Sequence, residues 1–336
     1  MASCGAAGTG PLVLRVISNT VKIVNSAGKI IKDIMNSGNL GIVEKEGIND
    51  LQTEADRSVQ RCIVTSLSQQ FPKLTIIGEE TLEEKKISDD WIITDHDKDV
   101  LSMTLPDELK NVKEEDLVIW VDPLDGTKEY TQGFLDHVTI LVGIAVQGKA
   151  VGGVIHQPYY NYQVRRIQGP REHEATARVE KDVYKQGRTM WGIVGVGAFG
   201  IKRTPPPAGK RIITTTRSHS SPVINSCIES MKPDEVLRVG GAGHKVLLLI
   251  EGKAHAYVFP SNGCKKWDTC APEAILHATG GLLTDIHGNR LQYHKDVEHV
   301  NGGGVLATCL KEQHEWFKNH IPPDVAKTLP VPTTQS

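Results

Sequence analysis

Three consecutive prolines, Pro205, Pro206 and Pro207, separate two stretches of chain whose hydrophobic patterns differ in kind. A proline triplet has fixed φ angles and no backbone donors, so it suits a stiff, extended connection rather than a helix interior or a central strand. Beyond it the pattern strand, loop, helix repeats three times. Arg211 to Thr216 leads to a helix after Pro222, Val236 to Val239 leads to His244–Glu251, and Ala254 to Phe259 leads to Thr269–Thr279. Such alternation predicts an α/β arrangement. Before the prolines, Leu12, Val16, Ile23, Ala27, Ile30 and Ile34 recur near a 3.6-residue period, which predicts an amphipathic helix over 11–35 that stops before Gly38. A second helix is expected over 52–70. Strands follow at Leu74–Ile77, Leu117–Val121, Val138–Val146 and Ala150–Gln157, the last two joined into a hairpin by Gln147-Gly148-Lys149. This half reads as α+β with a mostly antiparallel sheet. At 336 residues the chain exceeds the roughly 250–300 at which one hydrophobic core stops growing. The expectation is an α+β lobe over 1–204, an α/β lobe over 205–325 and a tail over 326–336, frayed from Pro330 onward.

Composition narrows the partners. With 38 Lys+Arg against 40 Asp+Glu and 5% aromatic residues, the chain has neither a bulk positive field nor many stacking platforms, so a nucleic acid polymer is not expected. The longest aliphatic run, Val246–Ile250, is far below the roughly 20 residues of a membrane span. No charged-then-apolar leader pattern opens the chain, and Ala2 stands where myristoylation needs glycine. Six cysteines without CxxC spacing suit a reducing compartment and no zinc site. The expectation is a cytoplasmic monomer acting on small molecules, with no membrane partner.

Two motifs look informative and are not. Gly195-Val196-Gly197-Ala198-Phe199-Gly200 is a literal GxGxxG, but the residues after it run into the prolines instead of opening the helix that a dinucleotide site requires, so a turn or hairpin is expected. Asp95, Asp97 and Asp99 alternate as in a calcium loop, yet the sixth and twelfth positions are Val100 and Pro106 rather than glycine and glutamate. That stretch reads as a solvated loop.

The chemistry gathers around acids at the ends of elements. Asp122 and Asp125 flank Pro123 at the end of a strand, and Gly126-Thr127 then starts a short helical stretch whose free N–H groups can hold a phosphate oxygen. Glu79 ends another strand, Asp268 precedes a helix and Asp56 lies on one. Each has an ordinary reading as well: a DPLDG turn, an N-cap, a strand end in solvent, a solvent-facing helix position. Together the five carboxylates, without a His or Cys cluster, form a hard-oxygen set that suits Mg2+ and predicts metal-assisted phosphate hydrolysis. In the second half Gly240–Gly243 opens a helix and Lys245 adds a cation, so a second phosphate or a ribose could dock there. A plain strand-to-helix turn fits equally. Thr216, Ser218 and His219 likewise suit either a ligand or an ordinary helix start before Pro222.

The run Trp120-Val121-Asp122-Pro123-Leu124-Asp125-Gly126-Thr127, with Gly78-Glu79-Glu80 upstream and Trp267-Asp268 downstream, resembles the lithium-sensitive, magnesium-dependent phosphatase superfamily of inositol monophosphatase. Within it the chain is similar to the bisphosphate nucleotidase branch, through Leu40–Glu44, Phe71–Glu80, Val121–Thr131, Thr214–Ser220 and Gly263–Glu273. The likeness spans roughly residues 12–310 and lapses over Leu82–Asp116 and Arg165–Lys185.

The resemblance implies a layered αβαβα sandwich of the inositol monophosphatase and sugar phosphatase type. It implies that Glu79, Asp122, Asp125 and Asp268 bind two or three Mg2+ ions by side chain and Leu124 by its carbonyl. Thr127 and Asp56 would activate and orient the attacking water, and Gly126 and Thr127 would hold the phosphate. Thr216, Ser218, His219, Gly241 and Lys245 would contact the nucleotide. The first lobe then carries most metal ligands, the second the nucleotide contacts and Asp268. The implied reaction removes the 3'-phosphate of adenosine 3',5'-bisphosphate (PAP) to give AMP, and converts 3'-phosphoadenylyl sulfate (PAPS) to adenylyl sulfate, with lithium inhibition and a side activity on inositol 1,4-bisphosphate. The alternatives are an inositol phosphate phosphatase of the same superfamily, or a catalytically dead phosphate-binding scaffold.

Overall fold

A computed structural model describes residues 10–45, 51–82, 87–161 and 187–330. Arg165–Lys185, residues 83–86 and the tail from 331 lie outside the described residues. The chain opens with α1 (Leu12–Ser37), a small hairpin of β1 (Val43–Glu44) and β2 (Leu51–Gln52), and α2 (Glu54–Gln70). α1 stops at Gly38, whose φ of 72° costs glycine nothing and closes the helix by donating to the Met35 carbonyl.

β3 (Thr75–Gly78) is followed by the short helices α3 (Lys98–Leu101) and α4 (Asp107–Lys110), then β4 (Leu117–Asp125) and α5 (Thr127–Thr131). β5 (Thr139–Val146), β6 (Lys149–Gln157), β7 (Arg188–Ile193) and β8 (Gly197–Phe199) complete a six-stranded sheet in sequence order, parallel only between β3 and β4. Gln147 and Gly148, at φ 50° and 73°, make the expected hairpin with both central residues left-handed. The GxGxxG glycines belong to the β7–β8 hairpin and its exit, as expected, and open no helix.

After Pro205–Pro207 come β9 (Ile212–Thr216), α6 (Pro222–Ser230), β10 (Glu235–Val239), α7 (Ala242–Ile250), β11 (Ala256–Phe259), α8 (Lys266–Ala278), β12 (Leu282–Thr284), β13 (Val305–Thr308), α9 (Lys311–Asn319) and α10 (Pro323–Lys327). Five strands pair in the order β10-β9-β11-β13-β12, with β9 parallel to both its neighbours. Residues 326–330 differ from the tail expected there: Ala326 is helical, and both it and Leu329 pack on the core.

The layers follow from which faces are apolar. Alternate residues of β4 go to opposite cores: Leu117, Ile119 and Val121 pack with α1 and α2, while Val118 and Trp120 pack with α8 and the second sheet. All nine residues of β4 are buried, as a strand covered on both faces requires. The order α1/α2, sheet, α7/α8, sheet, α6/α9 is the αβαβα sandwich the resemblance implied.

α8 lies unusually close to the first sheet. Gly143 on β5 pairs with Gly153 on β6, which pairs with Gly192 on β7. A Cβ on Gly143 would stand 2.5 Å from the Cys270 side chain, and one on Gly153 2.6 Å from the Ala271 carbonyl oxygen. This glycine row lets α8 rest on bare backbone from Cys270 to Ala278.

The acidic stretch is less solvated than expected. Asp95 and Asp99 are exposed, but Asp97 caps α3 through Asp99 N and Val100 N and pairs with Lys22 at 2.9 Å. Ser18 and Asn19 on α1 bind the backbone carbonyls of Ile93, Asp95 and Asp97, so those carbonyls and the Lys22 charge hold the segment against the helix.

Candidate active site

The site begins with a bulge in β4. Asp122 faces Leu141 and Asp125 faces Thr139, so three steps along β4 match two along β5. Without that extra residue, side chains three apart would point to opposite faces of the sheet; the bulge aims both carboxylates the same way. α8, seated on the glycine row, brings Asp268 to them. Ligand atoms of Asp122, Asp125 and Asp268 all lie within 4.8 Å of one another.

Each carboxylate is held by backbone. Asp122 Oδ1 accepts from Leu124 N at 3.0 Å, and Asp268 Oδ2 accepts from Lys265 N at 2.6 Å in a capping box at the head of α8. Asp125 Oδ1 accepts from Ala242 N at 2.7 Å; its Oδ2 accepts from Gly243 N at 2.8 Å and from the Thr139 hydroxyl at 2.7 Å. Glu79 follows β3, its N–H donating to the Val121 carbonyl and its carboxylate 2.9 Å from Lys45 Nζ.

Electrostatics show what the cluster needs. Burial, then the charges of Glu79, Asp125 and Asp268, raise the Asp122 carboxyl well above the usual range. Burial, then Asp125 and Glu79, push Asp268 up to about 7. Burial raises Asp125 despite Lys245 nearby, and raises Glu79 despite Lys45. Carboxylates crowded in this way resist ionising together unless a cation of high charge neutralises them. All-oxygen donors suit a hard divalent ion, so the residues present fit Mg2+.

Asp56 is not the solvent-facing helix residue it could have been; it is fully buried. Its Oδ2 accepts from Thr53 N at 2.7 Å, completing the capping box of α2, while its Oδ1 lies 3.0 Å from Thr127 Oγ1. The same hydroxyl lies 3.0 Å from the Leu124 carbonyl, so the single Thr127 proton has two acceptors within reach. Burial, partly offset by the Thr53 hydrogen bond, pushes the Asp56 carboxyl up to about 7.

A cleft of about 520 Å3 opens over this cluster. Glu79, Asp125, Gly126, Thr127, Thr216, Ser218, His219, Gly241, Lys245 and Asp268 line it, whereas Asp56, Asp122 and Leu124 lie buried and do not line it. Lys245 is buried, donates to the Gly241 carbonyl at 2.7 Å and lies 5.1 Å from the Tyr257 ring centre. Ser221, not Ser218, caps α6, which leaves Ser218 to approach His219 Nδ1 at 3.0 Å.

The Gly240–Gly243 turn, expected either to dock a second phosphate or a ribose or to be a plain strand-to-helix turn, gives the N–H groups of Ala242 and Gly243 to Asp125. A carboxylate at a helix N-terminus meets both the free donors and the positive end of the dipole. Lys45, Thr139 and His137, whose Nδ1 accepts from Gly240 N, also belong to the site and escaped the sequence reading. Only the pairing register of β4 with β5 reveals Thr139.

The sequence profile of the inositol monophosphatase family matches residues 13–320. The chain is 52% identical over 323 residues to 3'(2'),5'-bisphosphate nucleotidase 1 of Homo sapiens, covering 96% of this chain and 99% of that one. It is 40% identical over 310 residues to the protein of the same description in Dictyostelium discoideum, covering 90% and 94% respectively. Among solved structures, the inositol monophosphatase of Thermotoga maritima shares 20% identity at a TM-score of 0.60, covering 92% of this chain and 96% of that one. An IMPase/NADP phosphatase complexed with Mg2+ and phosphate shares 18% at 0.58, covering 89% and 93%. These last two show likeness of fold.

Proposed function

The chain belongs to the inositol monophosphatase family and is a phosphatase, and from that premise we infer that it hydrolyses the 3'-phosphate of adenosine 3',5'-bisphosphate to give AMP and phosphate. The observation that carries the reading is the convergence of Asp122, Asp125 and Asp268 beside the Thr127–Asp56 pair under one cleft, in a chain 52% identical to a 3'(2'),5'-bisphosphate nucleotidase. The same chemistry would act on 3'-phosphoadenylyl sulfate, and on inositol 1,4-bisphosphate as a side reaction.

We assign Glu79, Asp122, Asp125 and Asp268, with the Leu124 carbonyl, to two or three Mg2+ ions. When bound, the metal supplies positive charge against the phosphoryl oxygens and the leaving oxygen. The chain does the rest. Thr127 donates its hydroxyl proton toward Asp56, so its oxygen lone pairs can accept from a water in the cleft and orient it. The proton leaving that water passes through Thr127 to Asp56, whose raised pKa of about 7 makes it a competent acceptor near neutrality. The backbone N–H groups of Gly126 and Thr127 hold the phosphate for in-line attack. Thr216, Ser218, His219, Gly241 and Lys245 hold the nucleotide.

On this reading residues 1–204 form the lobe with most metal ligands, and 205–325 the lobe that holds substrate and supplies Asp268. The enzyme works as a monomer in the cytoplasm, where the five buried free thiols among the described residues stay reduced. Among those residues no helix is long and apolar enough to cross a membrane.

The test is phosphate release from adenosine 3',5'-bisphosphate, inositol 1,4-bisphosphate and inositol 1-phosphate in magnesium, with and without lithium. Preferential, lithium-sensitive cleavage of the nucleotide is expected. Preference for an inositol phosphate would keep the metal site and overturn the nucleotide contacts. No release from any of the three would make the chain a catalytically dead scaffold.

A further inference from the structure

Asp125 has little left to offer a cation. An ionised carboxylate has about four lone-pair positions, two on each oxygen. On Oδ2 both are taken, by Gly243 N at 2.8 Å and by the Thr139 hydroxyl at 2.7 Å. On Oδ1 one is taken, by Ala242 N at 2.7 Å. Among the described residues' bonds a single position remains, on Oδ1.

The sequence builds this arrangement closely. Thr139 is fully buried and is the cross-strand partner of Asp125, so its hydroxyl has no solvent alternative. Gly243 lacks the Cβ that would stand 2.7 Å from Thr139 Oγ1 and 3.1 Å from Asp125 Oδ2. Gly241, at φ 71°, lacks one that would stand 3.0 Å from the same oxygen. By contrast, one backbone N–H reaches Asp122 and one reaches Asp268.

We propose that Thr139, by filling the second lone pair of Asp125 Oδ2, confines Asp125 to ligation through one oxygen and so gives the site a preference for Mg2+ over Ca2+. The inference rests on the reading of Asp125 as a magnesium ligand. Mg2+ is small, demands a near-octahedral shell at about 2.0–2.1 Å and is served by single carboxylate oxygens. Ca2+ gathers about six to eight oxygens at longer range and commonly uses both oxygens of one carboxylate. A carboxylate with one free lone pair on one oxygen serves the first ion and withholds a ligand from the second. Thr139 touches neither substrate nor reacting atoms; it is a positioning residue.

The experiment titrates Mg2+ and, separately, Ca2+ into metal-stripped protein by calorimetry without substrate, for the native chain, Thr139→Val and Thr139→Ser. Valine keeps the shape and removes the hydroxyl; serine keeps the hydroxyl. The native chain and Thr139→Ser should show the same ratio of Mg2+ to Ca2+ affinity, and Thr139→Val a ratio shifted toward Ca2+ by about tenfold, the scale of one hydrogen bond to a charged group. If Thr139→Val does not melt cooperatively, Thr139→Ala replaces it in the same comparison. An unchanged ratio, or a shift toward Mg2+, in a folded variant that lacks the hydroxyl overturns the inference. A native chain that binds no Mg2+ overturns the reading of Asp125 as a ligand, and the inference with it.

Discussion

Thr127 Oγ1 and Asp56 Oδ1 stand 3.0 Å apart, although 71 positions of sequence separate the two residues. The pair joins the head of α2 to the start of α5, and both partners are otherwise constrained. Thr53 N holds the second carboxylate oxygen of Asp56, and the Thr127 hydroxyl also reaches the Leu124 carbonyl. Local geometry therefore leaves the hydroxyl few directions in which to send its proton.

Asp56→Asn removes the proton acceptor while nearly preserving shape. The expected result is a fall in kcat of about a hundredfold or more, the scale of general base catalysis, with KM and Mg2+ affinity changed little. With Mg2+ kept saturating at every pH, the native enzyme should lose kcat/KM as pH falls below about 7, where Asp56 takes up its proton, and the variant's residual rate should lack that limb. A variant that retains the native rate would remove Asp56 from the reaction.

Asp122→Ala should nearly abolish turnover, because it strips the most buried of the clustered acids. It should also raise the melting temperature of the metal-free protein near pH 8, since one of four mutually repelling carboxylates is gone. Mg2+ should then raise the melting temperature of the native chain and leave that of the variant almost unchanged. Paired melting curves with and without Mg2+ decide the matter, and equal stabilisation of both proteins would discard Asp122 as a ligand.

Much of this architecture can be read from periodicity, and the point where reading stops is informative. The 3.6-residue pattern over 11–35 and the glycine at 38 describe α1 almost to the residue. β4, by contrast, was expected to end at Val121 and runs to Asp125, because a bulge abolishes alternation at the very residues that matter. In the sequence Asp268 reads as an N-cap and Asp56 as a solvent-facing helix residue, whereas both stand at the third helical position of a capping box. A carboxylate can cap a helix and serve a site at once, so local sequence cannot separate the two roles. Thr139 and Lys45 carry no signal in the chain at all; their positions depend on strand register and on a hairpin folding over Glu79.

The proton-holding acids imply a pH-dependent metal affinity. Asp268 is pushed up to about 7 in the folded protein, above the usual 3.8 that an unfolded chain would show. Between these values the folded state binds a proton that the unfolded state does not, so this group's contribution stabilises the metal-free protein below about pH 4 and is lost as pH rises through about 7. Mg2+ must displace the same protons. Its affinity should therefore climb from about pH 5 to about pH 8, while metal-free stability declines over that interval. Calorimetry across this range should show proton release on binding; a flat affinity would contradict the crowding of the carboxylates.

Lys245 tests the second half of the cleft. It is buried and bonded to the Gly241 carbonyl, and its charge stands close enough to Asp125 for the two to influence each other's ionisation. Lys245→Ala should raise KM for adenosine 3',5'-bisphosphate by roughly tenfold or more, the cost of about one charge-assisted contact, and leave Mg2+ bound. A lowered kcat at unchanged KM would mean that the substrate lies elsewhere.

The glycine row makes the last prediction, because it connects packing to metal geometry. Asp268 reaches Asp122 and Asp125 only as far as α8 can approach the sheet, and at Gly153 that approach is limited by backbone on both sides. A methyl there would stand 2.6 Å from the Ala271 carbonyl oxygen and 2.9 Å from its Cα, neither of which can swing aside as a side chain can. Gly192 is more forgiving: its nearest contact would be Ile275 Cα at 3.3 Å. Gly153→Ala should therefore push the head of α8 outward, destabilise the protein by about 1–3 kcal/mol as overpacking does, and weaken Mg2+ binding because Asp268 moves with the helix. Gly192→Ala, beside the far end of α8, should show a smaller loss of stability and near-native Mg2+ affinity. If Gly153→Ala is destabilised yet binds Mg2+ as tightly as the native chain, the seat of α8 governs folding alone, and Asp268 reaches the metal by a freedom the packing does not suggest.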